Sequence, residues 1–82
     1  MLEVYVLYNA VANKIYIGQT NNLKVRLASH NNKRGNHFTA KFEGDWELIY
    51  SESVATRSEA LQRERQLKSS SGRAFVKKYI PG

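Results

Sequence analysis

The stretch NKIYIGQTNNLKVRLASH, residues 13–30, changes its period halfway along. Lys14 to Gly18 is β-branched and aromatic, which predicts a strand, and Gly18 is expected to end it. Thr20, Asn21 and Asn22 are each able to cap a helix, which should then run to about His30. On that helix Leu23, Arg26, Leu27 and His30 fall at i, i+3, i+4 and i+7, the inward face of an amphipathic helix. Two of these four are polar. An 82-residue chain has few inward positions to give away.

Working outward, residues 2–8 (LEVYVLY) are β-branched and aromatic on both faces, the pattern of a central strand covered on two sides. A turn at Asn9–Asn13 joins it to the strand above as an antiparallel hairpin. On the other flank, residues 31–44 (NNKRGNHFTAKFEG) are polar and basic without clear period, a long loop or a poorly formed helix. Loops of that length in a compact domain are usually functional. Residues 46–53 (WELIYSES) predict a third strand, with Trp46, Leu48 and Tyr50 alternating. Thr56-Arg57-Ser58-Glu59 then matches a capping box that starts a helix continuing through Lys68. Ser69 to Gly72 breaks it, and Arg73–Tyr79 makes one short basic helix. The order is ββαβαα: an α+β domain with a small three-stranded antiparallel β-sheet flanked by helices, expected to occupy 1–82 as a single unit.

Composition narrows the chemistry. There are no cysteines, which removes disulfides and thiolate chemistry and fits a reducing cytoplasmic setting. No apolar run approaches the roughly 18 residues needed to span a bilayer, so no membrane role is expected. The formal net charge of +6 suits a polyanionic partner, because basic side chains on phosphates release counterions. A merely solvated basic surface explains the charge equally well.

A second polar intrusion appears further along. The helix at 57–68 carries an apolar stripe of Ala60, Leu61 and Leu67, and Glu64 stands within it. Burying a carboxylate costs several kcal/mol, on the order of a whole domain's margin, unless a cation or donors meet it. Arg26, His30 and Glu64 therefore read as the walls of one cleft. The competing reading is a buried Arg26–Glu64 ion pair that only fixes register. Tyr5 and Tyr16 join the set if the hairpin brings them to one sheet face.

Taken together, Tyr5, the Tyr16-Ile17-Gly18 triplet, the Arg26-x-x-x-His30 spacing and the helical Glu64 resemble the GIY-YIG nuclease superfamily. The match runs from Tyr5 to about Tyr79. It looks most like the small standalone bacterial proteins related to the catalytic domain of the excision-repair nuclease subunit. One departure is that the first motif reads Glu3-Val4-Tyr5, so only its tyrosine is kept.

The resemblance implies the GIY-YIG endonuclease fold and a metal-dependent endonuclease that hydrolyses DNA phosphodiesters with one Mg²⁺ or Mn²⁺ ion per site. It implies Glu64 as the metal ligand and Tyr5 as the general base or water-orienting group. A phenol with pKa near 10 needs cationic neighbours to ionise near neutrality, and Arg26 is such a neighbour. Arg26 would also hold a phosphate oxygen, Tyr16 would orient water or phosphate, and His30 would donate to a phosphate or relay a proton. Gly18 supports the site by letting backbone approach closely or turn.

Binding is expected to spread over Lys14, Lys33, Arg34 and Lys41 on phosphates, with His37 and Phe38 stacking on an unpaired base. With no room for a separate recognition domain, the expected substrate is chosen by structure: single-stranded, flapped or branched DNA in repair, recombination or processing. A second copy of the chain or a protein partner could supply targeting. The alternative is a catalytically inactive nucleic-acid-binding module of the same fold.

Overall fold

Leu2–Asn9 forms β1 and Lys14–Thr20 forms β2, paired antiparallel across the turn between them. The computed structural model describes residues 2–31 and 43–81. Leu23–Asn31 is α1, Glu47–Val54 is β3, Arg57–Lys68 is α2 and Ser70–Lys77 is α3. The sheet order is β2-β1-β3, with both pairings antiparallel. The ββαβαα order and the central place of the first strand are as the sequence indicates.

β1 is central because its residues are apolar on both sides. Val4 and Val6 face one layer, where they pack with Ile17, with Ala60 and Leu67 of α2 and with Val76 of α3. Tyr5 and Leu7 face the other, against Trp46, with Tyr16, Leu23, Leu27 and Leu48 around them. Each fully buried valine contributes about 1.5–3 kcal/mol, so the strand holds both layers on it.

Four sequence expectations need correction. β2 runs through Gly18 to Thr20, because Gly18 pairs with Tyr5 inside the ladder and does not break it. Trp46, Leu48 and Tyr50 do not alternate along one face. A register shift opposite Val6 and Leu7 skips Ile49, so Leu48 packs beside Leu7 while Tyr50 turns to the α2 and α3 layer. Leu61 lies outside the buried stripe of α2 and is 47% exposed. The third helix starts at Ser70, three residues ahead of Arg73, because the Ser69 side chain caps it by accepting from the Gly72 amide at 3.2 Å. Gly72 permits that early start. A Cβ there would overlap the Gln66 carbonyl oxygen and the Leu67 backbone, so only glycine lets α3 turn so tightly off α2.

The caps of α1 and α2 follow from their own residues. The Asn22 Oδ1 accepts from the Val25 amide at 3.3 Å, and Thr56 Oγ1 accepts from the Glu59 amide at 3.2 Å. Of the three residues able to cap α1, Asn22 does so. Asn9 is a buried anchor at the end of β1. Its Nδ2 donates to the Glu43 carbonyl at 2.8 Å and its Oδ1 accepts from the Ala12 amide at 3.0 Å, which ties the approach to Trp46 onto the hairpin turn.

Candidate active site

The site grows out of the hairpin register. Tyr5 pairs with Gly18, and Leu7 pairs with Tyr16, so the two tyrosines are diagonal neighbours on one sheet face. Their ring centroids are 6.2 Å apart. A Cβ on Gly18 would stand 2.9 Å from the Tyr5 hydroxyl and 2.9 Å from Cε2 of Tyr16. The missing side chain of Gly18 is therefore the space in which the two phenols sit. Its backbone makes no turn there, and what comes close to it is the pair of phenol rings.

α1 lies over that face and lowers Arg26 and His30 onto the tyrosines. The Tyr5 hydroxyl is 3.0 Å from Nε2 of His30, and the His30 ring stacks obliquely on Tyr16 at 4.9 Å between centroids. The Arg26 guanidinium hydrogen-bonds Tyr5 and also interacts with Tyr16, and through these contacts Arg26 holds its own proton more firmly than usual. Arginine can only donate. Tyr5 therefore accepts from Arg26, and its hydroxyl hydrogen is available to Nε2 of His30 in the tautomer that leaves that nitrogen unprotonated.

Arg26 does ease ionisation of Tyr5, as expected of a cationic neighbour, but burial outweighs it. Burial pushes the phenol above its ordinary value of 10; the Arg26 hydrogen bond opposes this, and the charges of Tyr16 and Glu64 add to the rise. Desolvation wins because Tyr5 is fully buried. At rest Tyr5 is a neutral phenol.

Glu64 reaches this group from the opposite layer. It lies on α2, whose buried residues Ala60 and Leu67 pack on the other face of the sheet, and it meets the edge strand β2 at Gln19. Nε2 of Gln19 donates to Glu64 Oε2 at 2.9 Å, and Nζ of Lys68 lies 3.6 Å from Glu64 Oε1. The carboxylate side chain keeps 16% exposure. Among the described residues Glu64 thus pairs with Gln19 and Lys68, not with Arg26, which removes the reading of Arg26 and Glu64 as a register-fixing pair. Arg26 and His30 thus come from one side of the sheet and Glu64 from the other, with the edge strand β2 between them, and the Glu64 charge is felt at Tyr5.

Sequence reasoning missed Gln19 and Lys68. Gln19 follows Gly18 and so points to the face opposite Tyr16 and Gly18, toward the helix that carries Glu64. That parity could have identified it. Lys68 is i+4 from Glu64, a spacing that pairs side chains on a helix.

Lys14 is not brought to the cluster. It opens β2, exposed beside the turn, four residues before Gly18 and so ~13 Å away along the strand. Lys33, Arg34, His37, Phe38 and Lys41 lie outside the described residues.

Among the described residues no group of three or more His, Cys, Asp or Glu converges. A divalent ion held here would therefore take one carboxylate, Glu64, with water and phosphate oxygens completing its shell, which is how Mg²⁺ is commonly bound. Beside that carboxylate the buried Oε1 of Gln19 has no hydrogen-bond partner among the described residues. A second oxygen acceptor with no donor, adjacent to a carboxylate, suits a cation and its water. The residues present fit such an ion.

A three-stranded α+β sheet with two tyrosines, an arginine and a histidine on one side and a glutamate across its edge strand has the architecture of a small nuclease domain. The chain belongs to the GIY-YIG family: the family model for the GIY-YIG catalytic domain matches residues 1–79. Its relatives include small bacterial UPF0213 proteins. One from Staphylococcus haemolyticus is 35% identical over 65 residues, 79% of this chain and 78% of that protein. Another, from Staphylococcus epidermidis, is 38% identical over 55 residues, 67% of this chain and 66% of that protein. The UPF0213 protein YazA of Bacillus subtilis is 41% identical over 56 residues, 68% of this chain and 56% of that protein. No solved structure matches the chain. Among the described residues no helix is long and apolar enough to cross a membrane.

Proposed function

We propose that this chain is a divalent-metal-dependent endonuclease that hydrolyses DNA phosphodiester bonds in single-stranded, flapped or branched substrates. The observation that carries the reading is the Tyr5 hydroxyl, fixed between the Arg26 guanidinium and Nε2 of His30 with the Glu64 charge acting on it. A fold that only bound nucleic acid would gain nothing from burying that set.

Each residue then has a task its surroundings support. Arg26, already a donor to Tyr5, offers its remaining N–H groups to a phosphate oxygen and offsets charge growing on the transition state. Tyr5 orients the attacking water through its hydroxyl oxygen and can pass its own hydrogen to Nε2 of His30 as it takes one from that water. This relay avoids a free phenolate, which burial disfavours. Tyr16, stacked on His30, orients water or phosphate at the rim. Glu64 would hold Mg²⁺ or Mn²⁺, which when bound polarises the scissile phosphate and steadies the leaving oxygen.

The test is a cleavage panel over single-stranded, nicked, flapped, branched and duplex DNA, with and without Mg²⁺ or Mn²⁺, for the wild type, Tyr5→Phe and Glu64→Ala. The endonuclease reading expects metal-dependent products from the wild type and a drop of about 10²-fold or more in both variants, with salt-sensitive DNA binding kept. If the wild type binds DNA but leaves every substrate intact with either ion, the binding-module reading replaces it.

A further inference from the structure

We propose that Gln19 is a positioning residue for the cation site: its Nε2 fixes the Glu64 carboxylate, and its Oε1 accepts a hydrogen bond from water bound to the ion. The inference rests on the metal-dependent reading above and assigns it a residue outside the Tyr5, Tyr16, Arg26, His30 and Glu64 set.

Three observations support it. The first is the bond from Gln19 Nε2 to Glu64 Oε2 at 2.9 Å. It occupies one carboxylate oxygen; among the described residues the other, Oε1, faces Lys68 at 3.6 Å, a side chain that is 55% exposed. The second is the buried Gln19 Oε1, which no donor meets among the described residues. A buried acceptor without a donor costs about 1–3 kcal/mol, and most such groups in folded proteins are satisfied. The amide cannot relieve this by turning over, because that would set its oxygen against the Glu64 carboxylate and strand its two N–H donors.

The third is location. Gln19 lines a recess of about 210 Å³ together with Thr20, Asn21, Arg26 and Arg57. Arg26 and Arg57 line this recess with Gln19, whose amide holds Glu64, so a phosphate drawn to the two arginines arrives next to the residue that fixes the carboxylate. Oxygens that repel one another when empty become a matched set once a hydrated cation supplies positive charge and donors between them. Residues that hold a metal ligand or its water commonly change metal affinity 10–100-fold when replaced.

The experiment measures Mn²⁺ affinity directly, by the loss of the free-ion electron paramagnetic resonance signal, together with thermal melting with and without Mn²⁺. The full chain is used as wild type, Gln19→Met, Gln19→Glu and Glu64→Gln. Met keeps the length and packing of the side chain and removes both polar atoms. Glu keeps the oxygen, adds charge and removes the donor to Glu64.

The expected result is that Gln19→Met melts at or above the wild-type temperature without the ion yet binds Mn²⁺ about tenfold or more weakly. Gln19→Glu should melt lower without the ion, through repulsion from Glu64, and bind Mn²⁺ more tightly than the wild type. A purely structural Gln19 would move the melting temperature and leave Mn²⁺ affinity alone. Wild-type affinity in Gln19→Met, with Glu64→Gln losing the ion, overturns the role of Gln19 and leaves the metal-dependent reading standing. If the wild type itself does not bind Mn²⁺, both fall together. If Gln19→Met fails to fold, the Gln19→Glu affinity decides: unchanged or weaker binding there overturns the proposal.

Discussion

The Tyr5 hydroxyl and Nε2 of His30 stand 3.0 Å apart across the gap between β1 and the last turn of α1, and both residues are fully buried. In this structure neither is open to bulk solvent. The bond therefore ties the helix to the sheet as well as defining the proton path proposed above. His30→Ala leaves the phenol without its acceptor and opens a cavity, which should cost about 1–3 kcal/mol for the lost partner, with more for the void. His30→Gln retains an acceptor and should recover part of that loss. Urea unfolding of the two variants, run beside cleavage assays, reads both effects; equal stability of His30→Ala and wild type would mean the bond contributes nothing.

Gly18→Ala tests the space beneath the phenols. The added Cβ would meet the Tyr5 hydroxyl and the Tyr16 ring, each at 2.9 Å, and neither ring has anywhere to retreat under α1. Overpacking of this kind costs about 1–3 kcal/mol. Cleavage should fall further than stability, because even a small shift of Tyr5 breaks its alignment with His30 and Arg26. A Gly18→Ala protein with wild-type melting temperature and rate would exclude this account.

Alkaline stability follows from the two raised phenols. Burial raises Tyr5, and burial with a hydrogen bond to Glu52 raises Tyr50. A group raised on folding keeps its proton in the native chain after the unfolded chain has lost it near pH 10. The unfolded state then binds fewer protons, so unfolding becomes easier as pH climbs from the ordinary phenol value through the raised one. Stability should hold from about pH 8 to about pH 10 and fall above that. Tyr5→Phe and Tyr50→Phe should each flatten the fall, measured as urea midpoints across the range. A slope unchanged in both variants would refute the assignment.

Much of this site is legible in the sequence because its pieces are local. The Arg26 and His30 spacing fixes a helix face, Tyr16 and Gly18 share strand parity, and the Thr56 to Glu59 box sets where α2 begins and so where Glu64 points. What escaped depends on pairings between distant segments. The skip at Ile49 is a property of how β3 lies on β1, and no period within residues 46–53 announces it. Leu61 looks like part of a stripe until α2 is docked, when Ala60, Glu64 and Leu67 take the inner side. The net rise at Tyr5 is hidden for a related reason: the cationic neighbour Arg26 can be read from spacing, whereas complete burial cannot.

The Glu52 network on the far layer offers a control that separates folding from chemistry. Glu52 Oε1 accepts from Tyr50 at 2.7 Å and pairs with Arg63 Nε at 2.7 Å, and the Arg63 guanidinium sits 5.9 Å from the centre of the Phe75 ring. Both charged side chains keep close to a third of their exposure, so solvent screens the pair and its worth is about 1 kcal/mol or less. Glu52→Gln should lower the melting temperature slightly and leave DNA cleavage at the wild-type rate. A large loss of cleavage at wild-type stability would mean that the far layer communicates with Tyr5.

Lys14, Arg73 and Lys77 converge on a recess of about 430 Å³ at the turn end of β2. Among the described residues none of the three has a carboxylate partner. Arg73 also borders the neighbouring recess that reaches Tyr16 and Lys68, so the basic residues extend from the turn toward the proposed scissile position. If a DNA backbone follows this line, each phosphate contact releases counterions and contributes about 0.9 to the slope of log affinity against log salt for a duplex. Arg73→Gln and Lys77→Gln should therefore each weaken binding to all sequences alike and lower that slope by about one. Glu64→Ala should leave the slope unchanged. Fluorescence anisotropy titrations at several salt concentrations measure both quantities, and slopes that stay at the wild-type value in both basic-residue variants would place the DNA on another face of the molecule.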